Sequence, residues 1–314
     1  MTTERNLWTL KATRSLLGGA LCIAIFNIVK KEEFNRHGKF WNTRAALFTG
    51  LVNGSVSILL FFIAACTGGV EGKGGWLLAL LGTAALNIII QFANTKAILL
   101  EDASLVVPVG ATTPATIVFA SMVILGEIPT SLGWAGISVI ATGTYVLNIQ
   151  AYLEKKKEVR TWRDWLAPFL MLGKSRGIQW AFASALIATV SLNLDALAYR
   201  QANVAFVGGC VFAIVGAVNL FAAWRNGEWT VEKTTADFSK LNLLAIIVLH
   251  TGAIWFSSDA LRHGITPYVG TLKRLQIPMV IILAYIFLGE KENFRSRFVG
   301  GILMAFGAAL IALA

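Results

Sequence analysis

The sequence predicts an all-α polytopic membrane protein: ten transmembrane helices arranged as two inverted repeats of five. Three observations carry that prediction. Of 314 residues, 56% are hydrophobic and only 14% charged, with a mean hydropathy of +0.67, whereas a soluble chain carries about 25% charged residues. The apolar residues gather in runs near the roughly 20 needed to cross a bilayer as a helix. The second half of the chain also repeats, weakly, the pattern of the first.

The first expected helix, 15–29, is short and ends at Lys30 and Lys31. The start MTTERNLWTLKATR is polar and lacks the pattern of a cleavable signal, so the run from Ser15 is expected to stay as a membrane helix. A basic loop, KKEEFNRHGKFWNTR, leads to a second helix at 45–66, and the turn TGGVEGKGG to a third at 76–100. The fourth and fifth are expected at 103–125 and 132–149. In the polar segment 151–176, Trp162, Trp165 and Phe169 recur at near-helical spacing, which suits a stretch lying in the membrane interface. Five more helices follow, at 177–199, 202–224, 241–262, 266–288 and 298–313. The units are therefore 1–150 and 177–314, joined by the linker 151–176.

Tryptophans support these limits. Trp8, Trp41, Trp76, Trp134, Trp180, Trp224 and Trp229 fall at or beside predicted helix ends, where indoles favour the interface. Trp255 sits mid-helix and must face either a neighbouring helix or a cavity.

The net charge of +10 is expected at cytoplasmic loops and anionic headgroups and does not imply nucleic acid. Cys22, Cys66 and Cys210 lie in apolar runs without metal-ligand spacing and read as buried free thiols. No HExxH, GxSxG, P-loop or dinucleotide fingerprint occurs. The chain therefore reads as no enzyme, with no cofactor and no metal.

Polar residues inside apolar helices mark the candidate site. The stretch TPYVGTLKRLQIPMVIILAYIFLGE carries Lys273, Arg274 and Gln276, followed by Pro278. At about 1.5 Å per residue, Lys273 lies roughly 10 Å below the helix start. A cation at the bilayer centre costs on the order of 2.5–3.5 kcal/mol. The pair therefore faces a cavity or a counter-ion, or snorkels to a nearby headgroup layer. Asn87, Gln91 and Asn94 share one helical face, as do Thr251, Trp255, Ser258 and Arg262 in the eighth helix. Ser184, Ser191 and Asp195 form a third stripe, with Arg200 near that helix's end. Each stripe can line a cavity or bond helix to helix. Asp195 and Asp259 need a cation or a proton, so they are candidate counter-ions to Lys273 or Arg274, or carriers of a coupling proton. His250 reads as a proton relay or a packing residue, and Lys96 as a snorkelling cation.

The repeat appears on comparing VILGEIPTSLGWAGISVIATGTYVL (123–147) with IFLGEKENFRSRFVGGILMAFGAALIAL (286–313). Gly126 and Gly289 suit helix C-caps, and Glu127 and Glu290 suit the turns beyond them. An odd number of helices per repeat inverts the second copy, with a site between the halves near the midplane. The pattern Ala103–Ser104, Pro108, Pro114, Leu125–Gly126–Glu127, Gly136 and Gly143 resembles the EamA-type domain of the drug/metabolite transporter superfamily. Pro278, Leu288–Gly289–Glu290, Gly300 and Gly307 form its second copy. The resemblance implies alternating access through a cavity lined by both halves. The Lys273–Arg274 pair also resembles one in triose-phosphate translocators, where it holds a phosphate, while the Leu-Gly-Glu ending is similar to bacterial EamA proteins.

The expectation is a secondary exporter or exchanger of a small polar, anionic metabolite in a bacterial inner membrane. Its partners are the lipid bilayer and a small-molecule substrate, and the oligomeric state is open, a homodimer included. The rival readings are a flippase for lipids or lipid-linked sugars and a non-transporting sensor or assembly subunit. Basic residues collect on one side: Lys30, Lys31, Arg36, Lys39 and Arg44, then Lys155–Lys157, Arg160, Arg163, Lys174, Arg176, Arg225, Lys233, Lys240, Lys291, Arg295 and Arg297. The other side holds Arg5, Lys11, Arg14, Lys73, Arg200 and Arg262. The positive-inside rule places the first set in the cytoplasm and both termini outside, whereas the resemblance implies cytoplasmic termini.

Overall fold

The exterior of the bundle is apolar to a degree that suits lipid. In the computed structural model, Leu78, Val123 and Phe287 expose 78%, 87% and 71% of their surface. The structure describes residues 2–69, 72, 74–155, 161–229, 239–288 and 294–314. Gly289 and Glu290 of the second Leu-Gly-Glu turn lie outside the described residues, as do Lys73, Lys156, Lys157, Arg160, Lys233 and Lys291. The side chains of Arg5, Trp8, Lys11, Lys39, Lys155, Arg295 and Arg297 also lie outside them.

In order, the helices are α1 (Thr2–Asn42), α2 (Ala45–Cys66), α3 (Trp76–Leu100), α4 (Ala103–Val109), α5 (Thr113–Ile124) and α6 (Ser131–Lys155). Two single turns, α7 (Trp162–Trp165) and α8 (Ala167–Leu170), occupy the linker. Then come α9 (Arg176–Gln201), α10 (Val204–Arg225), α11 (Lys240–His263), α12 (Thr266–Leu272), α13 (Gln276–Phe287) and α14 (Phe294–Ala312). Among the described residues, nine segments are long and apolar enough to cross a membrane, and Val299–Ala312 is a shorter apolar helix. The expectation of ten therefore stands, among the described residues, at nine full-length spans, with a shorter apolar helix where the tenth was expected. The second and third helices have the limits read from the sequence.

The first helix departs most from expectation. It does not stop at Val29 but continues through the expected basic loop to Asn42, with a non-helical residue at His37 (φ −124°, ψ 24°). The reason is Glu33, which is fully buried. It accepts hydrogen bonds from the Trp41 indole at 3.1 Å, the Ser239 backbone N–H at 3.2 Å and the Asn242 amide at 3.0 Å. A buried carboxylate needs such donors, and meeting them ties the helical extension to the start of α11. Trp41 is consequently buried, not interfacial. Cys66 is likewise exposed at the end of α2, while Cys22 and Cys210 are half-buried free thiols.

The fourth and ninth spans are each interrupted by a 3₁₀ turn, Gly110–Thr112 and Lys273–Leu275. Pro114 and Pro278 account for both. Proline offers no N–H to the carbonyl four residues back, and its ring crowds that carbonyl. The carbonyls concerned belong to Gly110 and Arg274, and the backbone tightens there. Gly126, at φ +68°, ends α5, and the Glu127 N–H returns to the Ser121 carbonyl at 3.2 Å, the glycine cap expected.

Helices of the two halves pair: α1 with α11, α2 with α10, α3 with α9 and α6 with α14. Chain connectivity makes each pair antiparallel, as two inverted copies would. The α6–α14 contact is close because it is built from glycine. A Cβ on Gly136 would sit 2.7 Å from the Gly307 carbonyl oxygen, and one on Gly143 would sit 2.9 Å from that of Gly300.

Candidate functional site

A cavity of about 790 Å³ opens between the halves. Ala45, Ala46 and Thr49 at the start of α2 line its mouth, with Asn226 and Glu228 just beyond α10. Among the described residues, that face of the bundle also carries α7, α8, Lys31, Arg163, Lys174, Arg225 and Lys240. Asp195 and Tyr199, late in α9, line its deep end with Val211 of α10. From Val211 to Arg225, the last residue of α10, is roughly 21 Å at about 1.5 Å per residue, so the cavity reaches most of the way through the bundle.

The polar stripe on α3 faces this space. Asn87, Gln91 and Asn94 all line it, and each is also bonded across a helix contact. The Asn87 amide donates to the Ser191 hydroxyl at 3.2 Å and the Thr83 carbonyl at 2.9 Å. The Gln91 carbonyl accepts from Asn219 at 3.1 Å, and the Asn94 carbonyl from the Ser184 hydroxyl at 2.8 Å. A carboxamide has more hydrogen-bonding positions than these contacts use, so the same residues join helices and line the cavity.

At the deep end the Thr83 hydroxyl donates to Asp195 at 2.7 Å and receives the Ser191 hydroxyl at 2.7 Å. Lys273 lies close enough for its charge to act on Asp195. Tyr199, one turn further along α9, lines the same end of the cavity. The α9 stripe thus meets the ninth span through one aspartate.

Other residues singled out from the sequence lie elsewhere. Lys273, Arg274 and Gln276 are not among the residues lining this cavity. Arg274 donates to the Gly110 carbonyl at 3.1 Å and to Thr113 Oγ1, so its guanidinium fills the break that Pro114 leaves. Gln276 is half-buried at the first turn of α13. Trp255 packs against the cluster that holds Phe26, Phe48 and Ile246. Asp259 accepts from the Ser15 hydroxyl at 2.6 Å and stands 3.2 Å from His263 Nδ1. Lys96 is exposed, with its ammonium 5.6 Å from the Phe92 ring.

The face opposite the mouth is crossed by polar contacts. Glu127 pairs with Arg200 at 2.6 Å and accepts the Thr266 backbone N–H at 2.7 Å, holding the first turn of α12. Arg200 also donates to the carbonyls of Gly264 at 2.8 Å and Leu261 at 3.2 Å. The Tyr268 hydroxyl accepts the Thr130 N–H at 3.0 Å. One knot therefore joins the α5–α6 turn, the end of α9 and the α11–α12 turn.

Residues 55–149 and 175–313 match the model of the EamA-like transporter family. The chain belongs to that family. It is also 30% identical over 135 residues to an uncharacterized transporter encoded in the cobO 3′ region of Sinorhizobium sp., a match covering 43% of this chain and 94% of the relative. A solved crystal structure shares the fold with a TM-score of 0.67, at 16% identity, covering 98% of this chain and 96% of that one. An EamA-like chain of this kind is an integral multi-pass transporter and not an enzyme.

Several residues lining the EamA-like cavity escaped the sequence reading: Lys30, Asn53, Tyr199, Asn219 and Glu228. Lys30 read as the stop of a short helix, and Glu228 as part of a loop. Asn53 and Asn219, carboxamides within apolar spans, were the available signal. Thr49, Asn53 and Ser57 do stand four apart on one face of α2, a stripe that was not singled out, whereas Asn219 has no such companion along α10.

Proposed function

We propose that the protein is a secondary active exporter or exchanger of a small polar metabolite bearing an anionic group, working by alternating access. The observation that carries this reading is the cavity's asymmetry: it runs inward from Asn226 and Glu228 at one face to Asp195, with an ion-paired knot across the other face. About 790 Å³ lies within the roughly 300–1,000 Å³ of small-molecule sites. Carboxamides and hydroxyls on its walls suit a polar solute, and the inverted pairing of the halves offers a second arrangement in which the opposite face opens.

The test begins with a thermal-shift screen of the detergent-purified protein against a metabolite library, since a bound ligand adds stability by mass action. The hit is then followed in proteoliposomes by counterflow, with scrambling of a labelled lipid measured in the same vesicles. Saturable solute counterflow without scrambling is expected. Scrambling without solute movement would replace this reading with that of a lipid flippase.

A further inference from the structure

We propose that Lys30 and His250 form the subsite that receives the substrate's charged group, and that this group is a single carboxylate carried on a planar or aromatic body. The inference rests on the transport reading above and names what that reading leaves open.

Both side chains line the cavity. The Lys30 ammonium lies over three rings, 5.7 Å from Phe26, 5.9 Å from Phe34 and 5.6 Å from Phe48. Ring faces attract a cation, but they do not take up the three N–H donors of an ammonium as oxygen acceptors do. Among the described residues no carboxylate pairs with Lys30. The carboxylates that line the cavity have other work. Glu228, also on the cavity wall, accepts the Leu47 backbone N–H at 2.8 Å and the Asn226 amide at 3.3 Å. Asp195 is engaged by Thr83 and by the charge of Lys273.

His250 supplies the second, independent observation. Its ring is held between Phe26 at 4.8 Å and Phe212 at 5.6 Å, yet its buried Nδ1 makes no hydrogen bond. One ring, Phe26, borders both groups, 5.7 Å from the Lys30 ammonium and 4.8 Å from the imidazole. A buried polar nitrogen without a partner is a departure that calls for an occupant. An acceptor oxygen placed beside Lys30 would meet the unmet donors of the ammonium and, with Nδ1 protonated, that of the ring. A monocarboxylate matches one lysine in charge, whereas a phosphate dianion would bring a second charge to a wall that already carries Glu228. Phe26 and Phe212, which line the cavity, offer ring surface against which a planar body would lie.

The probes are benzoate and its neutral isostere benzamide, titrated calorimetrically into the full chain in detergent. The parent should bind benzoate at least about tenfold more tightly than benzamide, a difference of about 1.4 kcal/mol. Lys30→Gln should bring the two affinities together, Lys30→Arg should keep most of the preference, and His250→Phe should reduce it. Unfolding temperatures without probe show whether each variant is folded, and Lys30→Arg guards against misreading a damaged Lys30→Gln. Equal binding of acid and amide by the parent, or a preference that survives Lys30→Gln, overturns the subsite. A parallel series compares micelles containing phosphatidylglycerol or phosphatidylcholine. Stabilisation by phosphatidylglycerol alone, lost in Lys30→Gln and without benzoate binding, keeps the anion subsite but overturns solute transport in favour of a lipid headgroup. With neither benzoate nor phosphatidylglycerol acting, the subsite is overturned outright.

Discussion

Replacing Glu127 with glutamine should move the protein towards the state open at the opposite face. The glutamine oxygen can still accept the Thr266 N–H, so the loss is confined to the charge-assisted contact with Arg200, 2.6 Å long between side chains 11% and 28% exposed. Hydrogen bonds to charged groups contribute about 1.5–3 kcal/mol. Partial exposure of Arg200, and its remaining bonds to the Gly264 and Leu261 carbonyls, argue for about 2 kcal/mol. If the contact exists only while that face is closed, the equilibrium shifts by about 30-fold, since about 1.4 kcal/mol is a factor of ten. The assay is labelling of Val211→Cys, at the deep end of the cavity, by a membrane-impermeant maleimide in proteoliposomes. Cys22, Cys66 and Cys210 are first replaced by serine. Labelling from the termini side should accelerate by about that factor in Glu127→Gln. A rate within about twofold of the parent, in folded protein, would refute the claim that this ion pair holds the face shut.

Three further outcomes are expected. Asp195→Ala should destabilise the protein by about 1–3 kcal/mol, because it leaves the buried Thr83 hydroxyl without its carboxylate acceptor; combined with Thr83→Val the losses should be less than additive in detergent unfolding, and additive losses would contradict the contact. Gly136→Ala and Gly307→Ala should each cost about 1–3 kcal/mol by forcing α6 and α14 apart, and the double variant should lose less than the sum, because both substitutions open the same contact. A reporter that fluoresces only in the cytoplasm, fused after Ala314, should remain dark, because the termini lie opposite the face that carries Lys30, Lys31, Arg163, Lys174, Arg225 and Lys240; bright cells would show the charge bias to be misleading.

Much of the architecture was legible in the chain itself. Crossing a bilayer demands a long run of apolar residues with its backbone hydrogen bonds satisfied internally. That demand is local, so α2 and α3 could be bounded to the residue. The two 3₁₀ breaks were also written locally, since Pro114 and Pro278 each act on the carbonyl four residues before them. The stripe Asn87–Gln91–Asn94 reached the cavity wall for a related reason: helical spacing alone puts the three on one face.

Tertiary structure decided where the charges go. Whether KKEEFNRHGKFWNTR was loop or helix depended on Glu33 finding donors at Trp41, Ser239 and Asn242, two of them more than 200 positions away. Arg274 is bonded to the break in another span, and Glu127 to Arg200 and the first turn of α12, pairings that no local pattern encodes. Lys30, which the sequence offered only as the end of a short helix, faces the cavity because the helix does not end there. The bilayer selects apolar runs one helix at a time, but a buried charge is set by the partners that other helices bring to it.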